Sequence, residues 1–218
     1  MLDLTQLAQG HSCLAVAEMT VSGDGRLLAY STDTTGCRVY ELRVKDLETG
    51  ETLPDRAEDV GSVAWAADGR TLFYTVKDPA KRPYRLYRHR LGATRDELVY
   101  EEKDERFSLE VSRSRSRAYL FLSCEGLTAS EVRILPSDRP ADQWRLIAAR
   151  QPDHEYDIDH HGDRFYIRTN RGGRNFRLVS APVADPAPDH WTEVVPHRAE
   201  VMLESVLCFA HHLVLHER

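Results

Sequence analysis

The side chains in this chain that could do chemistry are its paired histidines, the serines beside glycine, four cysteines and one run of arginines. A serine nucleophile set on a strand-to-helix turn needs G-x-S-x-G, because small residues let the backbone bend sharply around the hydroxyl. Gly10-His-Ser12 and Gly61-Ser62 each lack the second glycine, so no serine triad is expected. His160-His161, flanked by Asp159 and Asp163, together with His211-His212, could gather imidazoles and carboxylates around one ion. Adjacent residues of an extended chain point to opposite sides, however, and both pairs fall where hairpin turns are expected. No catalytic residue, metal ligand or cofactor-binding residue is therefore assigned. Cys13, Cys37, Cys124 and Cys208 form no C-x-x-C pair, and they read as reduced, mostly buried thiols of a cytoplasmic protein. The run from Arg113 to Arg117 sits in the register of a turn and reads as a solvated loop, as does Arg171-Gly-Gly-Arg174. The phosphate loop G-x-x-x-x-G-K-(S/T) is absent.

Charge and hydropathy narrow the partners. A net charge of −6 over 218 residues argues against a nucleic acid or an anionic membrane held by long-range attraction, and leaves basic peptides open. Apolar runs such as Val206–Ala210 fall far short of the roughly 20 residues that span a bilayer. The start, Met1-Leu-Asp-Leu, has no basic region followed by an apolar stretch, so no signal peptide is expected.

The elements that must position these residues are short strands. Ser62–Trp65, Thr71–Val76, Arg85–His89 and Glu97–Glu101 are runs rich in β-branched and aromatic residues, each closed by a turn signal, of which Asp68-Gly69 is the sharpest. The same order appears earlier, where Asp24-Gly25-Arg26 stands 44 residues before Asp68-Gly69-Arg70, and Tyr40 stands 44 before Tyr84. A third copy aligns Ser114 with Asp68, a fourth turns at Gly162, and a fifth turns near His211 and stops at Glu217. A repeat of mid-forties length carrying four strands fits a β-propeller blade, and no long amphipathic helix competes with it. The expected fold is all-β, with blades at about 12–55, 60–104, 106–149 and 154–196, and an incomplete one at 200–218. A half-blade leaves an open sheet edge, so the chain is expected to be a fragment of a larger propeller. The recurring aromatics Trp65, Phe73, Tyr74, Tyr119, Phe121, Phe165 and Tyr166 are read as packing between blades.

Several blocks carry a family resemblance. Leu47–Glu51, Ser62–Trp65, Tyr87–Gly92, Leu98–Glu102, Thr128–Arg133, His154–Asp157, Asp163–Asn170 and Asn175–Leu178 are collinear with, and similar to, the N-terminal propeller of the oligopeptidase B group in the prolyl oligopeptidase family of serine peptidases. The resemblance implies a seven-bladed propeller capping an α/β-hydrolase domain of the same protein. The propeller would admit short peptides and exclude folded proteins, with cleavage after Arg or Lys. It also implies that the nucleophile, aspartate and histidine lie in that C-terminal domain, absent from these residues, so this chain alone should be inactive. Arg82, Arg106, Glu155 and Arg171 are loop candidates for the contact with the hydrolase domain. The alternative reading is a freestanding propeller that binds other proteins without peptidase activity.

Overall fold

The computed structural model describes residues 1–218, and its regular structure is almost entirely β. The first sheet is formed by β1 (Ala15–Val21), β2 (Leu27–Asp33), β3 (Glu41–Asp46) and β4 (Thr52–Ala57), paired in chain order. The second repeats the plan with β5 (Val60–Trp65), β6 (Thr71–Lys77), β7 (Pro83–Arg90) and β8 (Glu97–Glu101). The third consists of β9 (Ser108–Arg113), β10 (Tyr119–Glu125), β11 (Ser130–Pro136) and β12 (Arg145–Leu146). The fourth consists of β13 (Tyr156–His161), β14 (Arg164–Thr169), β15 (Arg177–Pro182) and β16 (Thr192–Val195), and β17 (Leu203–Cys208) pairs with β18 (Leu213–Glu217). Each is an antiparallel meander of consecutive strands, which is the blade of a β-propeller. Helix is confined to Leu4–Leu7 and a single 3-10 turn at Pro188–His190. No helix is long and apolar enough to cross a membrane.

The chain divides into two compact units, Met1–Ser112 with Ser137–Pro140, and Arg113–Pro136 with Ala141–Arg218. In the first unit, Ala29, Leu42 and Val44 of sheet one pack on Val63, Trp65, Leu72 and Tyr74 of sheet two. A large apolar side chain buried this fully contributes about 1.5–3 kcal/mol. Trp65 also donates its indole N–H to the Thr20 carbonyl at 3.0 Å, stitching the two sheets together.

The 44-residue period is written into polar detail as well. The first strand of each of these sheets slips register, between Val16 and Met19 and between Val60 and Val63. A bulge leaves an amide without its ladder partner, and a hydroxyl on the neighbouring strand takes it. Glu18 N–H donates to Ser31 Oγ at 3.0 Å, and Ser62 N–H donates to Thr75 Oγ1 at 2.9 Å. Both donor and acceptor are displaced by one period. The hairpin turns repeat too: Asp24 Oδ1 accepts from Arg26 N–H and Asp68 Oδ1 from Arg70 N–H, with Gly25 and Gly69 at positive φ.

The third turn corrects the register expected from sequence. Ser114 N–H donates to the Tyr119 carbonyl at 2.9 Å, as Ala66 does to Thr71 and Ser22 to Leu27. Ser116, not Ser114, therefore holds the place of Asp68, and its hydroxyl accepts from Ala118 N–H. Arg117 occupies the left-handed position that glycine fills in the other two turns, with φ 62°. Without Asp-Gly the sequence offered no anchor there.

In the second unit, Phe121, Val132, Ile134, Tyr156, Phe165, Ile167 and Val179 share one core. Phe165 meets Tyr119 and Phe121 edge-on, so these aromatics do pack between sheets. The Tyr156 hydroxyl sits among backbone: it accepts from Val132 N–H at 2.8 Å and Ala148 N–H at 3.1 Å, and donates to the Ala148 carbonyl at 2.7 Å. Burial pushes this phenol up to about 12. Ala148 gives its polar groups to Tyr156, and β12 ends at Leu146. Of the cysteines, Cys124 and Cys208 are buried, but Cys13 is half-buried and Cys37 exposed, so "mostly buried" holds for only two.

Candidate functional site

In an antiparallel meander, the turn from second to third strand and the connection from fourth strand to the next sheet emerge at the same end. Arg82 and Arg171 lie on turns of the first sort, Arg106 and Glu155 on connections of the second. Arg82 is spent within its own unit. Its Nε donates to Asp78 at 3.0 Å, and its Nη1 points at the carbonyls of Glu102, Asp104 and Phe107, at 3.4, 3.1 and 2.9 Å. One guanidinium thus fixes the connection that leads into β9. Arg106 is exposed and pairs with Asp104 at 2.7 Å. Glu155 exchanges hydrogen bonds with Asn170, while the Arg171 guanidinium has no acidic partner.

The paired histidines serve the fold. His160 pairs with Phe165 and His161 with Arg164, so the neighbours do face opposite ways. The His160 ring is buried against Tyr119 and Phe165, with Nδ1 at 2.8 Å from Ser116 Oγ. Burial holds its pKa below the usual range. A serine beside an imidazole resembles part of a triad, but the nearest carboxylate is committed elsewhere. Asp159 accepts from the backbone N–H groups of Arg115, His160 and Cys208. His161 Nε2 meets the Ala210 carbonyl at 2.9 Å. In the arginine run, Arg115 stacks on Phe209 at 4.2 Å and Arg113 donates to the Arg117 carbonyl.

Two features escaped the sequence reading. One is a buried ionic cluster: His89 is 8% exposed, with Nδ1 at 2.6 Å from Asp96 and Nε2 at 2.8 Å from Asp55. Asp55 also accepts from Gly92 N–H at 2.6 Å, and Asp96 accepts from the Tyr74 hydroxyl. Burial, then Asp96, holds the Tyr74 phenol far above its ordinary range. The cluster ties β4 of sheet one to β7 of sheet two. The other is a cleft of about 350 Å³ at sheet one, lined by Tyr30, Thr32, Glu41, Arg43, Leu7 and Leu14 among others.

The chain has counterparts among known proteins. The family model described as "Prolyl oligopeptidase, N-terminal beta-propeller domain" matches residues 1–218. Dipeptidyl aminopeptidase BI of Pseudoxanthomonas mexicana is 41% identical, covering 100% of this chain and 31% of its own. Protease 2 of Moraxella lacunata is 36% identical over 98% of this chain and 31% of its own. The structure of oligopeptidase B from Leishmania major superposes with a TM-score of 0.92 at 28% identity, covering 100% of this chain and 31% of that one. This chain thus spans about a third of the length of the relatives it matches.

Proposed function

We propose, on the premise that this chain belongs to the prolyl oligopeptidase family and forms part of its N-terminal β-propeller region, that it is the gating portion of a cytoplasmic serine oligopeptidase. Its partner is an α/β-hydrolase domain of the same protein, which would carry the nucleophile, aspartate and histidine. The propeller would act sterically, passing short peptides and turning away folded proteins. Cleavage after Arg or Lys is the favoured specificity, and a net charge of −6 suits basic peptides. The observation that carries this reading is the superposition of all 218 residues on oligopeptidase B.

A second reading of specificity has its own support, since a relative of greater sequence identity bears the name dipeptidyl aminopeptidase. Two substrates separate them in the full-length protein: an N-blocked peptide ending in Arg-aminomethylcoumarin, and an unblocked dipeptide amide. Turnover of the blocked substrate supports the oligopeptidase, and turnover of the unblocked one alone supports the aminopeptidase. Hydrolysis of either by the purified 218-residue chain, resistant or not to a serine-reactive phosphonate, would refute the gating assignment.

A further inference from the structure

On a chain whose net charge is −6, the turn between β14 and β15 carries the opposite sign. Arg171-Gly-Gly-Arg174 joins β14 to β15, and neither guanidinium has an acidic partner. Arg177 follows it, balanced by Glu193 at 3.2 Å. The turn is held by Gly173 N–H on the Asn170 carbonyl and Phe176 N–H on the Gly173 carbonyl, with Gly172 and Phe176 at positive φ. The backbone N–H groups of Gly172, Arg174 and Asn175 are left without partners. Alternating backbone conformations that expose successive N–H groups make a concavity suited to anions.

Three buried nitrogens near the turn are unpaired. His154 is 7% exposed, and its Nδ1 has no partner. Its Nε2 and the Arg171 N–H converge on Thr169 Oγ1, at 2.9 and 3.1 Å, which places the imidazole beneath the turn. Burial and then Arg171 lower its pKa. Arg177 Nε and His197 Nε2 are likewise buried without partners. Both lie against the glycines: the Arg177 guanidinium carbon is 3.7 Å from where a Cβ on Gly172 would stand, and a Cβ on Gly173 would collide with the His197 ring. Asn175 fixes the His197 segment by donating to the carbonyls of Arg198 and Ala199. Positive charge and free amides thus meet on one turn that has no side chain at its centre, with the Arg177 and His197 side chains packed against its glycines.

We propose that the Arg171–Arg174 turn is a binding site for a peptide carboxylate, held by the two free guanidiniums and the exposed amides. Arginine meets a carboxylate through two parallel hydrogen bonds, which suits this ligand class. The proposal is independent of the gating reading, since it requires only that the 218-residue chain be folded. The carboxylate could be a side chain or a C-terminus, and the experiment separates the two.

Three fluorescent peptides are titrated against the chain at 0.15 M salt, read by anisotropy: amidated Gly-Ser-Gly-Glu-Glu-Glu, Gly-Ser-Gly-Ala-Ala-Ala with a free C-terminus as its one carboxylate, and amidated Gly-Ser-Gly-Lys-Lys-Lys. Binding of the first identifies a side-chain carboxylate, and binding of the second a C-terminal one. The lysine peptide should stay unbound. Arg171→Gln with Arg174→Gln should weaken binding by about tenfold or more, the loss of two charge-assisted contacts, at an unchanged melting temperature. Arg95→Gln, which removes an exposed arginine elsewhere, should leave it unchanged. No carboxylate binding, or equal weakening by Arg95→Gln, overturns the proposal, as does binding of inorganic phosphate when both carboxylate peptides fail.

Discussion

Replacing His89 by leucine tests whether the buried ionic cluster holds the first two sheets together. Each ring nitrogen faces a carboxyl group, Nδ1 that of Asp96 and Nε2 that of Asp55. Leucine preserves much of the volume and removes both ring nitrogens, leaving two carboxyl groups facing an apolar side chain. Breaking a buried pair by deleting one partner costs about 3–5 kcal/mol. Two details favour the lower end: the Asp96 side chain is 24% exposed, and both carboxylates keep another donor, Gly92 N–H and the Tyr74 hydroxyl. The expected loss is about 3 kcal/mol. With a urea slope of about 2 kcal/mol per molar, the midpoint falls by about 1.5 M. The assay is urea unfolding followed by fluorescence of the buried Trp65, whose sheet carries His89. A double-mutant cycle with Asp55→Leu should recover part of the loss, because that variant no longer buries an unpaired carboxylate. A His89→Leu loss under about 1 kcal/mol, or strictly additive single effects, would show that the cluster is incidental.

Tyr156→Phe should cost about 2–4 kcal/mol, since it strips partners from the backbone of Val132 and Ala148 at once, and a melting temperature within a degree of the parent would contradict this. Gly61→Ala would place a Cβ 2.6 Å from Thr75 Oγ1, breaking the hydroxyl chain that runs through Ser62 to Val111 N–H; about 1–3 kcal/mol should be lost in calorimetry, against no change if that chain is dispensable. His154 and His160 are both held below 6.5, so the unfolded chain binds their protons first and stability should decline as pH falls through 6.5. His160→Gln should flatten that slope in urea titrations between pH 7.5 and 5.5, and an unaltered slope would remove His160 from the account. Glu131, where Arg150 and Arg133 outweigh the desolvation that opposes them, sits below 4.5 and adds a second loss as pH falls under that value. Glu131→Gln should abolish that lower step, and its persistence would assign the step to other carboxylates.

What the sequence disclosed was what is local. Asp24-Gly25 and Asp68-Gly69 announce their turns because the aspartate bonds its own backbone two residues on. The strands between them show in β-branched and aromatic runs, and their spacing exposes the period. The third copy lost register by two residues because Ser116 and Arg117 replaced the aspartate and glycine that signal the turn elsewhere. The ionic cluster was hidden for another reason. Asp55 and His89 are 34 residues apart in sequence and meet only after two sheets pack, and no pattern of residue types encodes that. The same holds at the Arg171 turn. Its glycines read as punctuation, whereas their missing side chains also make room for Arg177 and His197. Arg82, a loop candidate for the contact with the hydrolase domain, also makes an internal tie, because its length lets one head group reach three carbonyls.

The stitching of sheet one to sheet two by the Trp65 indole has a temporal consequence. An amide behind such a tie exchanges its hydrogen for deuterium only when the neighbouring sheet also lets go. The pair β17–β18 has less cover, with Leu207 and Val214 showing much of their surface. Deuterium should therefore enter there within the first minutes and reach the strands around Trp65 and Tyr156 last, so that the exchange clock of each strand is set by the sheet packed on it.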